Sequence, residues 1–283
     1  MFGELNQVQI NVLIASIIGD GELTKLYKGS RRKNSSYREH YGEKQKEYRE
    51  WKAQIMNNLF YITPKSQTLR SASNPIFTIL LKEFYKDNRN KNIPHSFLKH
   101  CTLPYFLAIL YMYDGTLSIS HRINHLKQKV YITPHIYLYL QNYTPDDLTQ
   151  LSAHIEKTFN IPLHLASRTD GHGFILRTTS VKEAFAYLET IKEVSKDCPT
   201  MYYKTNWDFR LKTEKEKWKE KHPNYDLVVT SSERFRKYTL EETENLIRFK
   251  RYGITDQTIA DLLGRSYWSV VYKLREMRKM NLL

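Results

Sequence analysis

Two short apolar segments of this chain end in the same dipeptide, Asp-Gly. The first runs from residue 13 to 21 and the second from residue 107 to 115, and each has the composition of a buried helix. If the two helices pack side by side, Asp20 and Asp114 meet at their shared end. The repulsion between two carboxylates must then be offset by a cation. This pattern favours a metal-dependent nuclease.

An Asp-Gly pair is also an ordinary way to end a helix, with the glycine in the left-handed conformation. Two occurrences in matching surroundings favour one shared site over two unrelated caps. A carboxylate at a helix C-terminus opposes the helix dipole, so a bound metal ion would compensate it. We assign the metal site to Asp20 and Asp114 together with the residues that precede them, Gly19 and Tyr113.

The composition indicates a globular protein with a polyanionic partner. The 283 residues are 41% hydrophobic, and 44 Lys and Arg against 30 Asp and Glu give a net charge of +14. This basic surplus is spread along the chain, which points to nucleic acid. The 21 tyrosines suit wet polar interfaces. Such Tyr-rich and Lys-rich usage can equally follow from an AT-rich genome.

The two cysteines, Cys101 and Cys198, are far apart and form no CxxC motif, so we expect neither a disulfide framework nor a thiolate zinc site. A reducing intracellular setting fits this usage: the cytoplasm of a bacterial or phage-infected cell, or an organelle. The apolar stretch 10–18 lacks a basic leader, and 103–113 is too short to span a bilayer. We expect no membrane segment and no secretion.

Periodicity predicts an α+β fold made of two αββαββα halves, residues 1–98 and 99–211. After the first apolar helix we predict strands within 22–42, a helix at 46–60, strands at 67–72 and 76–81, and a helix at 82–87. After the second we predict strands at 116–122 and 130–140, a helix at 145–159, strands at 163–167 and 174–178, and a helix at 181–194. The repeated order indicates an internal duplication whose pseudo-symmetric halves form a DNA-binding saddle.

The strand around residues 135–141 alternates regularly. One face is apolar (Ile136, Leu138, Leu140), and the other is aromatic and polar (Tyr137, Tyr139, Gln141). We interpret the second face as a DNA-reading surface.

Residues 212–221 are densely charged, and 212–236 are predicted to be a solvated linker that can contain some helix. Residues 237–283 are predicted to be a separate three-helix unit of helix-turn-helix type. Thr239, Thr255 and Ser266 are the predicted N-caps, with the first helix ending at Gly253. On the third helix one stripe is apolar (Val270, Leu274, Met277), and the residues away from it would enter a major groove (Tyr267, Trp268, Lys273, Arg275). The alternative is a small bundle that docks on the catalytic core.

The segments ending in Asp20-Gly21 and Asp114-Gly115 resemble the paired signature helices of the LAGLIDADG homing endonucleases, and the resemblance covers roughly residues 8–212. The segments 90–94 (Asn-Lys-Asn-Ile-Pro) and 201–204 (Met-Tyr-Tyr-Lys) resemble the lysine-bearing segments of that family. The chain departs from the family pattern at Tyr113, where an acidic or small residue is usual. The C-terminal unit resembles Myb-like helix-turn-helix domains.

The resemblance implies a monomer that cleaves both strands of a long, asymmetric double-stranded DNA site at an intron or intein insertion point, leaving 3′ overhangs. It implies that Asp20 and Asp114 hold Mg²⁺ and that Lys91 and Lys204 polarise solvent or stabilise charge on the phosphate. Mg²⁺ itself prefers hard oxygen ligands and takes few protein carboxylates. Two other functions stay open: an intron maturase that binds RNA, and a catalytically inactive DNA-binding regulator. The acid and lysine pairs favour the enzyme.

Basic residues in or near the predicted sheets are expected to contact phosphates or bases. They are Arg31, Arg32, Lys33, Lys44, Lys46, Arg70, Lys127, Lys129, Arg168 and Arg177. Two other motifs carry less weight. The segment 121–125 (His-Arg-Ile-Asn-His) has no third metal ligand and is interpreted as a surface strand or loop, and 171–173 (Gly-His-Gly) as a hairpin turn rather than a phosphate loop.

Overall fold

The computed structural model describes residues 2–57, 59–85, 90–168, 170–230, 237–280 and 282–283. The chain divides into two compact units, residues 1–232 and 233–283. We call the part of the larger unit before residue 104 the first half and the part from residue 104 the second half. Among the described residues, no helix combines the length and apolar character needed to cross a bilayer.

The first half contains a four-stranded sheet. Its regular elements are α1 (Gln7–Ile18), β1 (Glu22–Thr24), β2 (Ser36–His40), α2 (Lys46–Ile55), β3 (Phe60–Thr63), β4 (Thr68–Ser71), α3 (Pro75–Phe84) and α4 (His95–Leu98). Helix α1 begins at Asn6, whose side chain accepts a hydrogen bond from the Gln9 amide while the Gln9 side chain accepts one from the Asn6 amide.

The second half contains a five-stranded sheet. Its elements are α5 (Pro104–Asp114), β5 (Gly115–Asn124), β6 (Lys129–Leu138), α6 (Pro145–Phe159), β7 (His164–Ser167), β8 (Phe174–Arg177), α7 (Val181–Ser195), α8 (Tyr202–Thr205), α9 (Trp207–Lys221) and β9 (Asp226–Val229). Most of these elements lie close to their predicted positions, and the bounds of α6 agree with the prediction. Gly171 and Gly173 have positive φ in the turn between β7 and β8, as expected for a hairpin.

Both sheets have the same strand order and are antiparallel except for β9. The order is β1-β2-β4-β3 in the first half and β5-β6-β8-β7 in the second. The registers also correspond when counted from the two aspartates. Glu22, two residues after Asp20, pairs with Arg38, and Thr116, two residues after Asp114, pairs with Tyr137.

Helices α1 and α5 occupy the centre of the larger unit and pack against each other. All residues from Ile10 to Ile18 and from Phe106 to Met112 are buried. Their uniform apolar character therefore reflects burial on all sides rather than one amphipathic face. Side chains from both halves join the same core.

The prediction of a strand at 76–81 is wrong: these residues lie in helix α3. Asn74 caps the helix by accepting from the Ile76 amide, and Pro75 occupies its first position. The predicted helix at 46–60 ends at Ile55, and a strand that the prediction missed, β3, begins at Phe60. Of the helix predicted at 82–87, residues 82–84 are the end of α3, residue 85 caps it, and 86–87 lie outside the described residues.

The prediction of a linker at 212–236 is also wrong for its described part. Helix α9 continues to Lys221, and β9 then pairs in parallel with β6. Trp218 of α9 packs with Val130 and Ile132 of β6 in a small apolar cluster. Burial of this cluster fixes the segment to the sheet in spite of its charge. Residues 231–236 lie outside the described part.

The C-terminal unit contains α10 (Leu240–Arg251), α11 (Asp256–Leu262) and α12 (Tyr267–Lys279). Thr239, Thr255 and Ser266 accept the capping hydrogen bonds, as predicted. Six buried residues form its core: Leu246, Ile259, Ala260, Val270, Leu274 and Met277.

Candidate active site

Asp20 and Asp114 lie at the same end of the packed α1 and α5 pair. Asp114 is the last residue of α5, and Asp20 follows the end of α1 by two residues. The helices approach closely because Gly19 has no side chain: a Cβ there would lie 2.7 Å from the ring of Tyr113. At the opposite end, the Asn11 side chain donates to the His100 carbonyl and accepts from the Leu103 amide just before α5.

The two carboxyl groups have different surroundings. Burial and the negative charge of Asp20 together raise the pKa of Asp114 to about 7, although the charges of Lys204 and Lys91 oppose this shift. The Asp20 side chain is 56% exposed, and its Oδ2 lies 3.8 Å from Nη2 of Arg49. A single cation near both groups would favour their ionised forms.

Each aspartate is accompanied by a partly buried lysine, and both lysines donate to backbone carbonyls next to it. Lys91 Nζ donates to the carbonyls of Gly19 and Gly21, at 2.8 and 3.0 Å. Lys204 Nζ donates to the carbonyls of Met112 and Tyr113, at 2.8 and 3.2 Å.

Burial lowers the pKa of both lysines to about 8, although the charges of Asp114 and Asp20 oppose this shift. An amine with such a pKa can release and accept a proton near neutral pH. Both lysines are therefore suited to general acid or base chemistry beside the aspartates. If Gly19 and Tyr113 also bound the metal, as the sequence predicts, they would do so through their backbone carbonyls. These carbonyls already accept hydrogen bonds from the two lysines.

The donor set fits a hard divalent cation. Two carboxylates converge, and one of them has a pKa raised by burial and by the other, which is the situation that a bound cation relieves. No group of three or more His, Cys, Asp or Glu residues suited to a metal occurs in the described part of the chain. Mg²⁺ tolerates such a sparse set, because it often takes one or two carboxylates and completes its shell with water and phosphate oxygens.

A buried charged cluster beside the site escaped the sequence analysis. Glu39 of β2 lies between two basic residues of α2, with its Oε1 2.6 Å from Nε of Arg49 and 2.6 Å from Nζ of Lys52. All three side chains are inaccessible to solvent. Tyr113 joins the cluster, since its hydroxyl contacts both Glu39 and Lys52. The available signal was the spacing of Arg49 and Lys52 on the same helix face as Tyr48 and Met56.

The outer faces of the two sheets carry matching rows of polar and aromatic residues. Hydrogen-bonded registers align Glu22, Arg38, Arg70 and Tyr61 across the first sheet. They align Thr116, Tyr137, Arg177 and His164 across the second. Arg70 and Arg177, both predicted contacts, occupy equivalent places. Arg38, which the prediction omitted, is held by Glu22 through hydrogen bonds of 2.9 and 3.0 Å.

The alternation predicted for β6 is confirmed. Ile136, Leu138 and Leu140 are buried, and Tyr137 and Tyr139 stack on the opposite face with ring centroids 6.1 Å apart. Gln141, just beyond the strand, is exposed. The guanidinium of Arg168 lies 5.4 Å from the centre of the Tyr139 ring. This face therefore combines aromatic rings with positive charge.

The remaining predicted contact residues lie in four places. Arg31, Arg32 and Lys33 are exposed between β1 and β2, Lys44 and Lys46 are exposed at the start of α2, and Lys127 and Lys129 lie at the tip of the β5–β6 hairpin. On α12, Tyr267, Trp268 and Arg275 are exposed, whereas Lys273 is half-buried and pairs with Glu276 at 2.9 Å. The 121–125 motif lies on β5 and the following turn, with both histidines exposed.

Comparison with known proteins identifies the family. Residues 10–185, more than half of the chain, match the LAGLIDADG DNA endonuclease family. The chain belongs to this family. The matched range includes both segments that end in Asp-Gly, 13–21 and 107–115.

One curated relative is Protein RecA of Mycobacterium shimoidei, 31% identical over 124 residues. The match covers 42% of this chain and 28% of the relative, so the chain spans under a third of that protein. Among solved structures, the homing endonuclease I-WcaI bound to its DNA recognition sequence has 18% identity and a TM-score of 0.53, covering 71% of this chain and 87% of that chain. The meganuclease I-SmaMI bound to uncleavable DNA has 9% identity and a TM-score of 0.44, covering 76% and 92%.

Proposed function

We propose that the protein is a site-specific homing endonuclease that hydrolyses both strands of a long, asymmetric double-stranded DNA target. The observation that carries this proposal is the convergence of Asp20 and Asp114, each with its own partly buried lysine, at one end of the central helix pair. A protein that only bound DNA would gain no stability from this arrangement. Placing like charges together in a partly buried site costs free energy unless a cation is bound.

Asp20 and Asp114 would hold one or more divalent cations, with Mg²⁺ as the natural choice for an all-oxygen site. When bound, such a cation lowers the pKa of water and stabilises negative charge on phosphate oxygens. The chain itself supplies proton transfer. Lys91 and Lys204, with pKa values near 8, orient and polarise the water that attacks phosphorus or donate a proton to the 3′ oxygen that leaves.

The outer faces of the two sheets would bind the duplex. Basic residues there neutralise phosphates, and the aromatic and polar side chains reach base edges. The two rows differ at three of their four aligned places and share only the Arg70 and Arg177 position. Unequal rows on two halves related by duplication would select an asymmetric target. One chain provides both halves, so the active form is a monomer.

The C-terminal unit would add a Myb-like helix-turn-helix contact to DNA. The exposed rings of Tyr267 and Trp268 and the exposed Arg275 lie on α12, the third helix, which enters the major groove in such domains. We further propose that the gene lies in an intron or intein and that the DNA target is its insertion point.

The test is cleavage of a plasmid library of candidate sites, with Mg²⁺ and with chelator. We expect Mg²⁺-dependent linear products from a narrow set of sequences, carrying 3′ overhangs. The alternative functions give other outcomes. Selective retention of an intron RNA without cleavage would identify a maturase, and selective retention of duplex DNA without cleavage would identify an inactive regulator.

A further inference from the structure

The buried cluster of Glu39, Arg49 and Lys52 combines one acid with two basic groups inside the first half. Burying charges is costly, and removing one member of such a cluster leaves an uncompensated charge. Glu39 lowers this cost by pairing with both basic groups at 2.6 Å. Burial lowers the pKa of Lys52 to about 7, which leaves Arg49 as the cation that stays charged at neutral pH.

Arg49 is the member that reaches the active site. Its guanidinium lies 4.6 Å from the centre of the Tyr48 ring and 4.9 Å from that of Tyr113, which restricts it on two sides. Its Nη2 lies 3.8 Å from Oδ2 of Asp20. Neither of its Nη groups donates a hydrogen bond within the part of the chain that the structure describes, although both are fully buried. The carboxylate of Asp20 is the charge that these donors face.

The second half fills the same positions with leucine. Strand register places Leu138 of β6 where β2 has Glu39. The buried positions of α2 and its cap are 48, 49, 52 and 56, and those of α6 are 147, 148, 151 and 155, with the same spacing. Leu148 and Leu151 therefore correspond to Arg49 and Lys52. Asp114 has no arginine in the position that Arg49 has beside Asp20.

We propose that Arg49, anchored by Glu39, is a positioning residue that fixes the orientation of the Asp20 carboxylate and has no counterpart for Asp114. This inference rests on the proposed function of the two aspartates. The cluster occupies volume that leucines fill in the other half, so folding alone does not require charge there. The charge of the cluster is explained by the contact that Arg49 makes with the Asp20 carboxylate.

The first experiment is independent of DNA cleavage. Urea unfolding is measured for Arg49→Leu, Asp20→Asn, Asp114→Asn and the two double variants that contain Arg49→Leu. We expect Arg49→Leu and Asp20→Asn to be non-additive by at least about threefold in the unfolding constant, and Arg49→Leu and Asp114→Asn to be additive within about twofold. Equal coupling to both aspartates, or coupling to neither, would overturn the proposal.

The second experiment measures cleavage of supercoiled plasmid under single-turnover conditions. The triple variant Glu39→Leu, Arg49→Leu, Lys52→Leu reproduces the chemistry of the second half, and we expect it to fold because an apolar replacement of a whole buried ion cluster is often neutral. It should bind DNA with nearly unchanged affinity but cleave roughly tenfold to a hundredfold more slowly, the usual cost of a misplaced catalytic group. Arg49→Lys should recover part of the rate, because it keeps the charge.

Cleavage by the triple variant at the wild-type rate would show that the cluster is only structural. Lys192→Gln, on the exposed face of α7, is the matched control and should cleave normally. If the wild type cleaves no DNA, the proposed function fails, while the unfolding experiment still decides whether Arg49 acts on Asp20. If the triple variant does not fold, Arg49→Lys decides: a slower rate at wild-type stability supports positioning, and an unchanged rate overturns it.

Discussion

At corresponding buried positions, one half of the larger unit has charged side chains and the other half has apolar ones. Next to the sheet, the first half has Glu39 and Lys52 where the second half has Leu138 and Leu151. Both solutions are fully buried and both support a four-stranded core of the same order. The comparison indicates that the fold determines the side-chain volume at these positions, whereas the charge of the side chains depends on their local surroundings. The local difference is the environment of the aspartate that each half contributes.

The largest expected effect is on cleavage. Asp20→Asn and Asp114→Asn should each lower the cleavage rate by about a thousandfold or more, because each removes an acid for the cation at the shared site. DNA affinity should stay within about tenfold, a difference of roughly 1.4 kcal/mol. Gel-shift titration and plasmid cleavage measure the two quantities. A similar loss of binding would show that the acids are structural. Full activity of either variant would show that its aspartate takes no part in cleavage.

The second effect is on stability and separates the halves directly. Glu39→Leu leaves the buried Arg49 guanidinium without its anion and should lower the free energy of unfolding by about 3–5 kcal/mol. Leu138→Ile, at the corresponding place in the other sheet, conserves volume and should cost less than about 1.5 kcal/mol. Chemical denaturation compares the two variants. Equal losses of unfolding free energy would mean that the charged cluster is no more sensitive to substitution than an apolar core.

The contact between the halves depends on Gly19. Gly19→Ala places a Cβ 2.7 Å from the Tyr113 ring, which is itself held by the buried cluster and cannot easily move. We expect a loss of about 1–3 kcal/mol, as for other overpacked sites. Gly42→Ala is the control, because nothing lies within 4 Å of the Cβ that it adds. A neutral Gly19→Ala would indicate that the helix pair can separate at no cost.

The smallest effect concerns the pH dependence of stability. Burial and Asp20 raise the pKa of Asp114 to about 7, so the folded state keeps a proton that the unfolded state releases above about pH 4. Metal-free protein therefore loses stability between about pH 4 and pH 7, and the loss stays constant above pH 7. Asp114→Asn removes this loss of stability, and its Tm advantage over the wild type should grow as the pH rises through this window.

Asp20→Asn should show a smaller pH-dependent gain, because it removes only the part of the Asp114 pKa shift that the charge of Asp20 causes, and burial is the larger cause. Thermal denaturation in chelator at several pH values tests both variants. A Tm difference for Asp114→Asn that does not change with pH would contradict the raised pKa.

Much of the fold could be predicted because its signals are local. The caps at Thr239 and Ser266, the β6 alternation and the bounds of α6 depend on residues within a few positions of each other. The segment 76–81 was misassigned because a short apolar run fits a buried strand or a buried helix equally well. The prediction missed that Asn74 and Pro75 form a helix start.

For the candidate active site, the sequence by itself determined which residues are available: two apolar helices ending in aspartate and two lysines in recognisable segments. Tertiary structure decided their contacts. Lys91 reaches carbonyls about 70 residues away and Lys204 about 90, and β9 joins β6 across nearly 100 residues. It also decided that Glu39, Arg49 and Lys52 are buried, although charged side chains are usually exposed to water. The physical reason is that capping and periodicity act over one or two turns, whereas a buried ion cluster is stable only when partners distant in sequence arrive together.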